Sequence, residues 1–345
     1  MKKIIPSILL LFTMLACAAQ SKNAAPDRQQ IANIGDFQLE SGSVIKNCRI
    51  GYRIYGHLNS EKSNGILFLT WFEGTAKAIE MVTPWDAVDT NRFCLIIVDA
   101  LGDGVSSSPS NSVTQHGTDF PEFSVRDMVA SQHELLIKKL GITHLQAVMG
   151  LSMGGIQTFQ WAVSYPDFMD KLIPIIGSPQ PTSYDLMLYN TFRRTVENDS
   201  AFNHGHYTVN PNIVTANMIW ELFLTTPTYR VKNISHDDFP EWMKNTTNTP
   251  SGDWNNIDYQ IKAIIAHDIS TPFNNSMQQA AAHVKAKMLI ISSAQDHMVN
   301  PNPAINFSKL LPAKLVVIDS DKGHLAVDFN NPQMKDPIVD LLNSN

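Results

Sequence analysis

Short apolar runs recur along the chain, and their spacing predicts a buried, mostly parallel sheet. Each run is nearly unbroken, which is typical of a strand covered on both faces rather than of a strand with one wet face. The runs of this kind are residues 66–70, 93–100, 145–149, 172–176, 288–292 and 315–318. Before them, residues 37–39 and 46–55 are predicted as two strands joined by a Ser-Gly-Ser turn, an antiparallel opening to the sheet.

Helical patterns lie between the apolar runs. Ser124 and Asp127 have the spacing of a capping box, and Gly141 stands where a C-terminal glycine belongs, so a helix is predicted between them. A second helix is predicted over residues 153–163, and a last one at the Asp-Pro pair 336–337. Alternating strands and helices indicate an open α/β sheet flanked by helices.

The alternation of predicted strands and helices is interrupted between residues 178 and 275. This stretch contains few strand-like runs but several aromatic, amphipathic and turn-rich segments. We interpret this stretch as a mostly helical lid insertion, because the last two strands follow it. Residues 36–345 are therefore predicted to form one α/β domain that carries the lid at residues 178–275.

The first residues predict an export signal, because two lysines precede an apolar stretch that is too short to span a bilayer, and small residues follow. Residues 1–19 are assigned to this signal and residues 20–35 to a polar tether. Cys17 stands in a sequence that resembles a lipoprotein box, so we favour a lipid anchor at this cysteine, with ordinary cleavage after Ala18 or Ala19 as the alternative. The prediction is an exported bacterial protein, either periplasmic or a membrane-anchored lipoprotein.

Composition narrows the function classes. The chain has 345 residues, 43% hydrophobic, and a formal net charge of −6 without a block of Lys or Arg, so nothing points to nucleic acid as a partner. Cys48 and Cys94 fall in strand-like patterns and are interpreted as buried thiols, although a disulfide between them stays open. His204 and His206 lack further ligands at a recognisable spacing, so no metal is predicted.

The sequence GLSMGG at residues 150–155 places a serine between glycines, at the junction of a predicted strand and a predicted helix. With almost no connection between the two elements, Ser152 must occupy a tight, strained turn that projects its hydroxyl above the sheet. Glycines at 150 and 154 remove side chains that would collide across that turn, and Gly155 lets the helix approach the sheet. This context favours a nucleophile over a plain loop.

A serine nucleophile needs a base, and the base needs an orienting acid. In the fold with such a turn, the order along the chain is serine, acid, histidine. Asp296 follows the next-to-last predicted strand and His324 the last, so both reach the edge of the sheet where the serine lies. His297, Asp321 and Asp99 are the rival assignments.

Backbone amides complete the predicted site. The N–H of Met153, at the start of the helix, would face an oxygen bound beside the serine. The second donor should come from the loop after residues 66–70, where Phe72 is our choice and Trp71 the alternative.

With these residues in hand, the chain resembles the homoserine O-acetyltransferase family of α/β-hydrolase-fold enzymes. The resemblance covers about residues 37–330. It is carried by residues 88–110 (VDTNRFCLIIVDALGDGVSSSPS), 120–129 (FPEFSVRDMV), 140–167 (LGITHLQAVMGLSMGGIQTFQWAVSYPD), 266–270 (AHDIS), 295–301 (QDHMVNP) and 322–324 (KGH). It implies an α/β-hydrolase fold in which Ser152 accepts the acyl group and Asp296 and His324 complete the triad.

In that family, acetyl passes from acetyl-CoA to the serine and then to homoserine, whose carboxylate an arginine holds. The resemblance makes Arg193, Arg194 and Arg230 candidates for this contact, with solvated arginines on a helix face as the alternative. The chain departs from the family at residues 70–74 (TWFEG), where the family has a His-x-Leu-Thr-Gly-like stretch, so an acid stands near the pocket. It departs again in its export signal, because acetyl-CoA is a cytoplasmic metabolite.

We therefore predict a serine-nucleophile enzyme that acts on a small-molecule acyl substrate and needs no cofactor. Hydrolysis of a small or medium ester is favoured, because water is always available outside the cytoplasm. An O-acyltransferase, with acetyl-CoA or another activated donor as co-substrate, is the alternative. A binding protein that kept the fold and lost the reaction is disfavoured by the intact triad residues, and the sequence does not give the oligomeric state.

Overall fold

The structure, a computed structural model, describes residues 29–82, 87–247 and 252–344. Within these residues the strands are β1 Gln30–Gln38, β2 Val44–Tyr55, β3 Gly65–Leu69, β4 Cys94–Val98, β5 Ala147–Leu151, β6 Lys171–Ile175, β7 Lys287–Ser293 and β8 Ala313–Ile318. The α-helices are α1 Ala76–Val82, α2 Val125–Glu134, α3 Met153–Ser164, α4 Ser183–Glu197, α5 Val214–Leu224, α6 Pro227–Asn233, α7 Phe239–Thr247, α8 Trp254–Ile265, α9 Met277–His283, α10 Asn302–Phe307 and α11 Pro332–Asn343.

All eight strands belong to one sheet with the order β1-β2-β4-β3-β5-β6-β7-β8. The β1–β2 and β2–β4 pairs are antiparallel, and every other pair is parallel. The predicted mostly parallel sheet with an antiparallel opening is therefore confirmed.

Two apolar cores explain why the central runs are unbroken. In β3, Leu67 and Leu69 pack into the core on one face of the sheet, while Ile66 and Phe68 pack into the core on the other. Successive strand side chains point to opposite faces, so a strand between two layers of helices has no position left for a polar residue.

The first strand is longer than the sequence pattern indicates. β1 begins at Gln30, so residues 30–35, which we assigned to the tether, pair with β2 instead. The register shifts on both sides of Gly35, as in a β-bulge. Such a shift breaks the alternation of apolar and polar positions by which a strand is recognised. The predicted signal, Cys17 and the rest of the tether lie outside the described residues.

The helix predicted from the capping box is present. The Ser124 side chain accepts from the Asp127 amide, and the Asp127 carboxylate accepts from the Ser124 amide. After α2 the chain continues through π-helical turns over residues 135–140. This helical segment ends at Gly141, whose φ is +62°.

The predicted start of the last helix is wrong by five residues. Helix α11 begins at Pro332, after Asn331, whose side chain accepts from the Gln333 amide. The helix does begin with an N-cap residue followed by a proline, but the pair is Asn331 and Pro332. The predicted proline, Pro337, lies inside the helix.

The stretch between β6 and β7 is helical, as predicted for the insertion. Helices α4 to α9 fill it, and its described part contains no strand. Cys48 and Cys94 are buried, free thiols, so the open possibility of a disulfide between them is excluded. No helix in the described ranges has the length and apolarity needed to cross a bilayer.

Candidate active site

Ser152 occupies a strained elbow between β5 and α3. Its φ of +58° and ψ of −115° place it where residues with a side chain are rarely found. A Cβ on Gly150 would lie 2.3 Å from the Gly154 carbonyl oxygen, and one on Gly154 would lie 2.1 Å from the Leu69 carbonyl oxygen. A Cβ on Gly155 would approach the Ile175 carbonyl oxygen to 2.7 Å. The sequence motif therefore has the steric role we expected.

A continuous chain of hydrogen bonds connects Ser152, His324 and Asp296. Ser152 Oγ lies 2.9 Å from His324 Nε2, and His324 Nδ1 lies 2.7 Å from Asp296 Oδ2. With a proton on Nδ1, the imidazole donates to the carboxylate and accepts from the serine hydroxyl. The structure thus brings together the three residues that the sequence singled out.

Two loops hold the acid and the base in place. The second oxygen of Asp296 accepts hydrogen bonds from the amides of Met298 at 2.8 Å and Val299 at 2.9 Å. The loop before His324 is fixed by the Ser293 hydroxyl, which donates to the Gly323 carbonyl at 2.7 Å. Gly323 itself has a φ of +64°. Asp296 and His324 are both buried, and each is held from more than one side.

The two rival acids contact other groups, and the rival histidine lies outside the hydrogen bonds that connect Asp296, His324 and Ser152. Asp99 accepts from the amide of Ala76 at 2.5 Å. The carboxylate of Asp321 lies 3.6 Å from the Lys232 ammonium group. His297 is partly buried beside Asp296 and takes no part in the hydrogen bonds that lead to the serine.

The amides of Met153 and Phe72 are available to a bound oxygen. The Met153 N–H lies in the first turn of α3, where the helix supplies no acceptor. In the loop after β3, the Gly74 amide donates to the Trp71 carbonyl and the Glu73 amide donates to Gln260 Oε1, both at 2.9 Å. Within the described part of the chain, neither the Phe72 nor the Met153 amide donates a hydrogen bond.

A cavity of about 350 Å³ opens beside the serine. Ser152 and His324 lie in its wall, and most of the remaining wall is apolar. The insertion contributes side chains that the sequence analysis did not assign to the site, although their aromatic, amphipathic setting was visible: Phe192, Asn217, Trp220, Leu224, Trp254 and Ile257. Phe72 packs against Trp220 with ring centroids 5.0 Å apart, so the insertion contacts the loop after β3 directly.

Glu73 is an acidic side chain in this largely apolar wall. Its Oε1 accepts a hydrogen bond from the Gly252 amide at 3.1 Å. Burial raises the pKa of Glu73 to about 7, although the Gly252 hydrogen bond acts in the opposite direction. The acid noted in the sequence therefore faces the cavity.

The three arginines suggested by the resemblance do not line the cavity. Arg193 pairs with Asp258 at 2.8 Å and with Glu197 at 2.6 Å. Arg230 pairs with Glu221 at 2.8 Å, and its guanidinium group lies 4.1 Å from the ring centroid of Trp242. The third, Arg194, is exposed on α4. Two of the three therefore stabilise the insertion itself.

No group of three or more His, Cys, Asp or Glu side chains in residues 29–82, 87–247 and 252–344 could hold a metal ion. His204 and His206, the pair noted in the sequence, are exposed around a short turn. The hydrogen-bonded triad, the two available amides and the cavity together can perform acyl transfer through a serine ester.

Comparison with known proteins agrees with this geometry. A family model described as the alpha/beta hydrolase fold matches residues 80–331. The ethyl acetate hydrolase of Pseudomonas veronii is 29% identical over 90% of this chain and 93% of its own. The homoserine O-acetyltransferase of Methanococcoides burtonii is 32% identical over 85% of this chain and 67% of its own.

The similar solved structures fall into the same two groups, ester hydrolases and homoserine O-acetyltransferases. An acetylester hydrolase from Corynebacterium glutamicum superposes with a TM-score of 0.81 at 28% identity, covering 92% of this chain and 96% of its own. A homoserine O-acetyltransferase from Bacillus anthracis superposes with a TM-score of 0.86 at 26% identity, covering 93% and 99%. Esterases and acyltransferases are thus similar to this chain to about the same degree.

Proposed function

This chain belongs to the α/β-hydrolase fold family, as an enzyme with esterase and homoserine O-acetyltransferase relatives, and we propose that it is an esterase acting through an acyl-serine at Ser152. The observation that carries this proposal is the hydrogen-bonded chain from Ser152 through His324 to Asp296. That chain opens into a small, mostly apolar cavity, which suits a small or medium ester.

The reaction has two halves. His324 Nε2 takes the proton of the Ser152 hydroxyl as Oγ attacks the ester carbonyl, and the Met153 and Phe72 amides stabilise the oxyanion. The intermediate expels the alcohol, which takes the proton from His324, and leaves an acyl-serine. Water then attacks the acyl-serine as it gives a proton to His324 Nε2. The second tetrahedral intermediate collapses, His324 returns that proton to Ser152 Oγ, and the carboxylic acid departs. Asp296 stabilises the imidazolium ion in both halves.

Water is proposed as the acceptor because the described lining of the cavity offers no lysine or arginine for the carboxylate of homoserine. Arg193 and Arg230 are occupied by acids of the insertion. An aromatic and aliphatic wall suits an uncharged acyl or alcohol group better than an amino acid zwitterion.

The second candidate is an O-acyltransferase, which the 32% identity to a homoserine O-acetyltransferase favours. The two candidates share the acyl-serine and differ in what attacks it. Purified protein should be given short-chain p-nitrophenyl esters and ethyl acetate and, separately, acetyl-CoA with homoserine. Ester turnover that added alcohols leave unchanged supports the esterase. Homoserine-dependent consumption of acetyl-CoA would replace it with the transferase.

Export is part of the proposal and is supported by the pattern of residues 1–19. Outside the cytoplasm the enzyme would not meet acetyl-CoA. The lipid anchor at Cys17 is tested by labelling cells with a radioactive fatty acid and fractionating them. Lipidation gives label in the membrane fraction that Cys17→Ser abolishes, whereas cleavage after Ala18 or Ala19 gives unlabelled protein in the periplasm.

A further inference from the structure

Glu73 lies on the loop after β3, directly after the residue whose amide we assign to the oxyanion. Its backbone has a φ of +59°, and its amide is fixed by Gln260. The side chain reaches across the cavity wall to the Gly252 amide. A Cβ at position 252 would lie only 2.5 Å from Glu73 Oε1, so the glycine permits this contact.

Among the described residues, few hydrogen-bond donors reach the carboxyl group of Glu73. A carboxylate offers about four acceptor positions, and one hydrogen bond from the described protein is assigned to it, from the Gly252 amide. The described wall has one other titratable side chain, that of His324, and no lysine or arginine. A charge beside aromatic side chains also acts over a longer distance than one in water. Within the described wall, a bound substrate therefore faces one acidic side chain and neither a lysine nor an arginine.

We propose that Glu73 determines substrate specificity by charge: it favours esters that carry a cationic group and rejects esters that carry a carboxylate. This inference rests on the proposed esterase function and specifies its substrate class. A substrate ammonium group would pair with the Glu73 carboxylate, whereas a substrate carboxylate would be repelled by it and would meet no lysine or arginine in the described wall. Homoserine and dicarboxylic half-esters fall in the rejected class.

The test uses pairs of esters that differ in charge but not in shape. Acetylcholine and dimethylbutyl acetate, its uncharged carbon isostere, place the charge on the alcohol. The p-nitrophenyl esters of aminohexanoic acid, heptanoic acid and adipic acid, the last as half-ester, place it on the acyl group. The kcat/KM of each ester is measured for the wild type and for Glu73→Gln. The glutamine retains an oxygen that can accept from the Gly252 amide.

In at least one series, Glu73→Gln should lower the ratio of kcat/KM for the cationic ester to that for the neutral ester by about tenfold. In the acyl series, it should also raise the ratio of kcat/KM for the anionic ester to that for the neutral ester. Glu241→Gln, which removes a similar charge from an exposed position on α7, should leave all ratios unchanged. If neither series responds to Glu73→Gln while neutral esters are still hydrolysed, this inference is wrong and the esterase stands. If the wild type hydrolyses no ester, the esterase proposal fails instead.

A measurement on the wild type covers the case in which Glu73→Gln does not fold. The cationic preference should grow as pH rises from about 6 to about 8, because the pKa of Glu73 is about 7. Both esters of a pair require the same state of His324, so its titration cancels in the ratio. A ratio that is constant over this range would overturn the inference.

Discussion

The carboxylate of Asp296 lies 2.7 Å from Nδ1 of His324, and its side chain is only 1% exposed to solvent. A buried carboxylate in this position fixes the imidazole tautomer whose Nε2 accepts from Ser152. In the proposed mechanism, the geometry of this pair determines whether Ser152 has a base.

Replacing Asp296 with asparagine tests that relationship. The amide can donate to Nδ1, which favours the wrong tautomer, and it cannot stabilise the imidazolium ion. We expect kcat for a p-nitrophenyl ester to fall by about a thousand- to ten-thousand-fold, with KM little changed. A fall of less than about tenfold would mean that another group orients His324, with His297 the first to examine.

The elbow predicts a strong effect of one added methyl group. In Gly154→Ala, the new Cβ would meet the Leu69 carbonyl oxygen at 2.1 Å, and a backbone group in the central sheet cannot easily move aside. We expect about 3 kcal/mol of lost stability together with a loss of kcat. Gly65→Ala is the control, because its Cβ would meet side-chain atoms at 3.2 Å or more. Similar melting temperatures for the two variants would show that the elbow is not under steric constraint.

The arginines of the insertion are expected to affect stability rather than substrate binding. In Arg230→Ala, Glu221, whose side chain is 4% exposed, loses its cation, so the free energy of unfolding should fall by about 2–3 kcal/mol. Arg194→Ala, at an exposed position, should change it by less than about 0.5 kcal/mol. KM for neutral esters should be unchanged in both. A large rise in KM for Arg230→Ala at unchanged stability would return this residue to the substrate site.

Glu73 also links stability to pH. Its pKa is 4.5 in the absence of the fold and about 7 within it, so between these values the folded state binds more protons than the unfolded state. Its contribution to stability therefore declines as pH rises from about 4.5 to 7 and is unfavourable above that range. We expect Glu73→Gln to melt about 2 °C above the wild type at pH 8 and to lose this advantage near pH 4. An equal difference at both pH values would exclude the carboxyl group as its source.

The sheet and the triad could be predicted from sequence because both depend on local patterns. Unbroken apolar runs indicated the strands, and Asp296 and His324 lie in the loops that follow β7 and β8. Since parallel strands end at one edge of the sheet, the order of the residues along the chain was enough to place them together.

Other features of the fold and the site could not be predicted from the sequence, because they depend on residues far apart in the chain or on interruptions of the apolar periodicity. Arg193 is held by Asp258, 65 residues away, so its pairing has no local signature. The bulge at Gly35 disguises the start of β1. The Gly252 amide reaches Glu73 only because the insertion folds back over the loop after β3.

The central claim is that Ser152 carries the acyl group and passes it to water. The most direct measurement is rapid quenching of the enzyme during turnover of a p-nitrophenyl ester, followed by mass spectrometry of the peptides. We expect a burst of one p-nitrophenol per enzyme and one acyl group on the peptide that contains residues 150–155, with no acylation and no turnover in Ser152→Ala. Steady turnover by Ser152→Ala, or an acyl group on another residue, would contradict the claim.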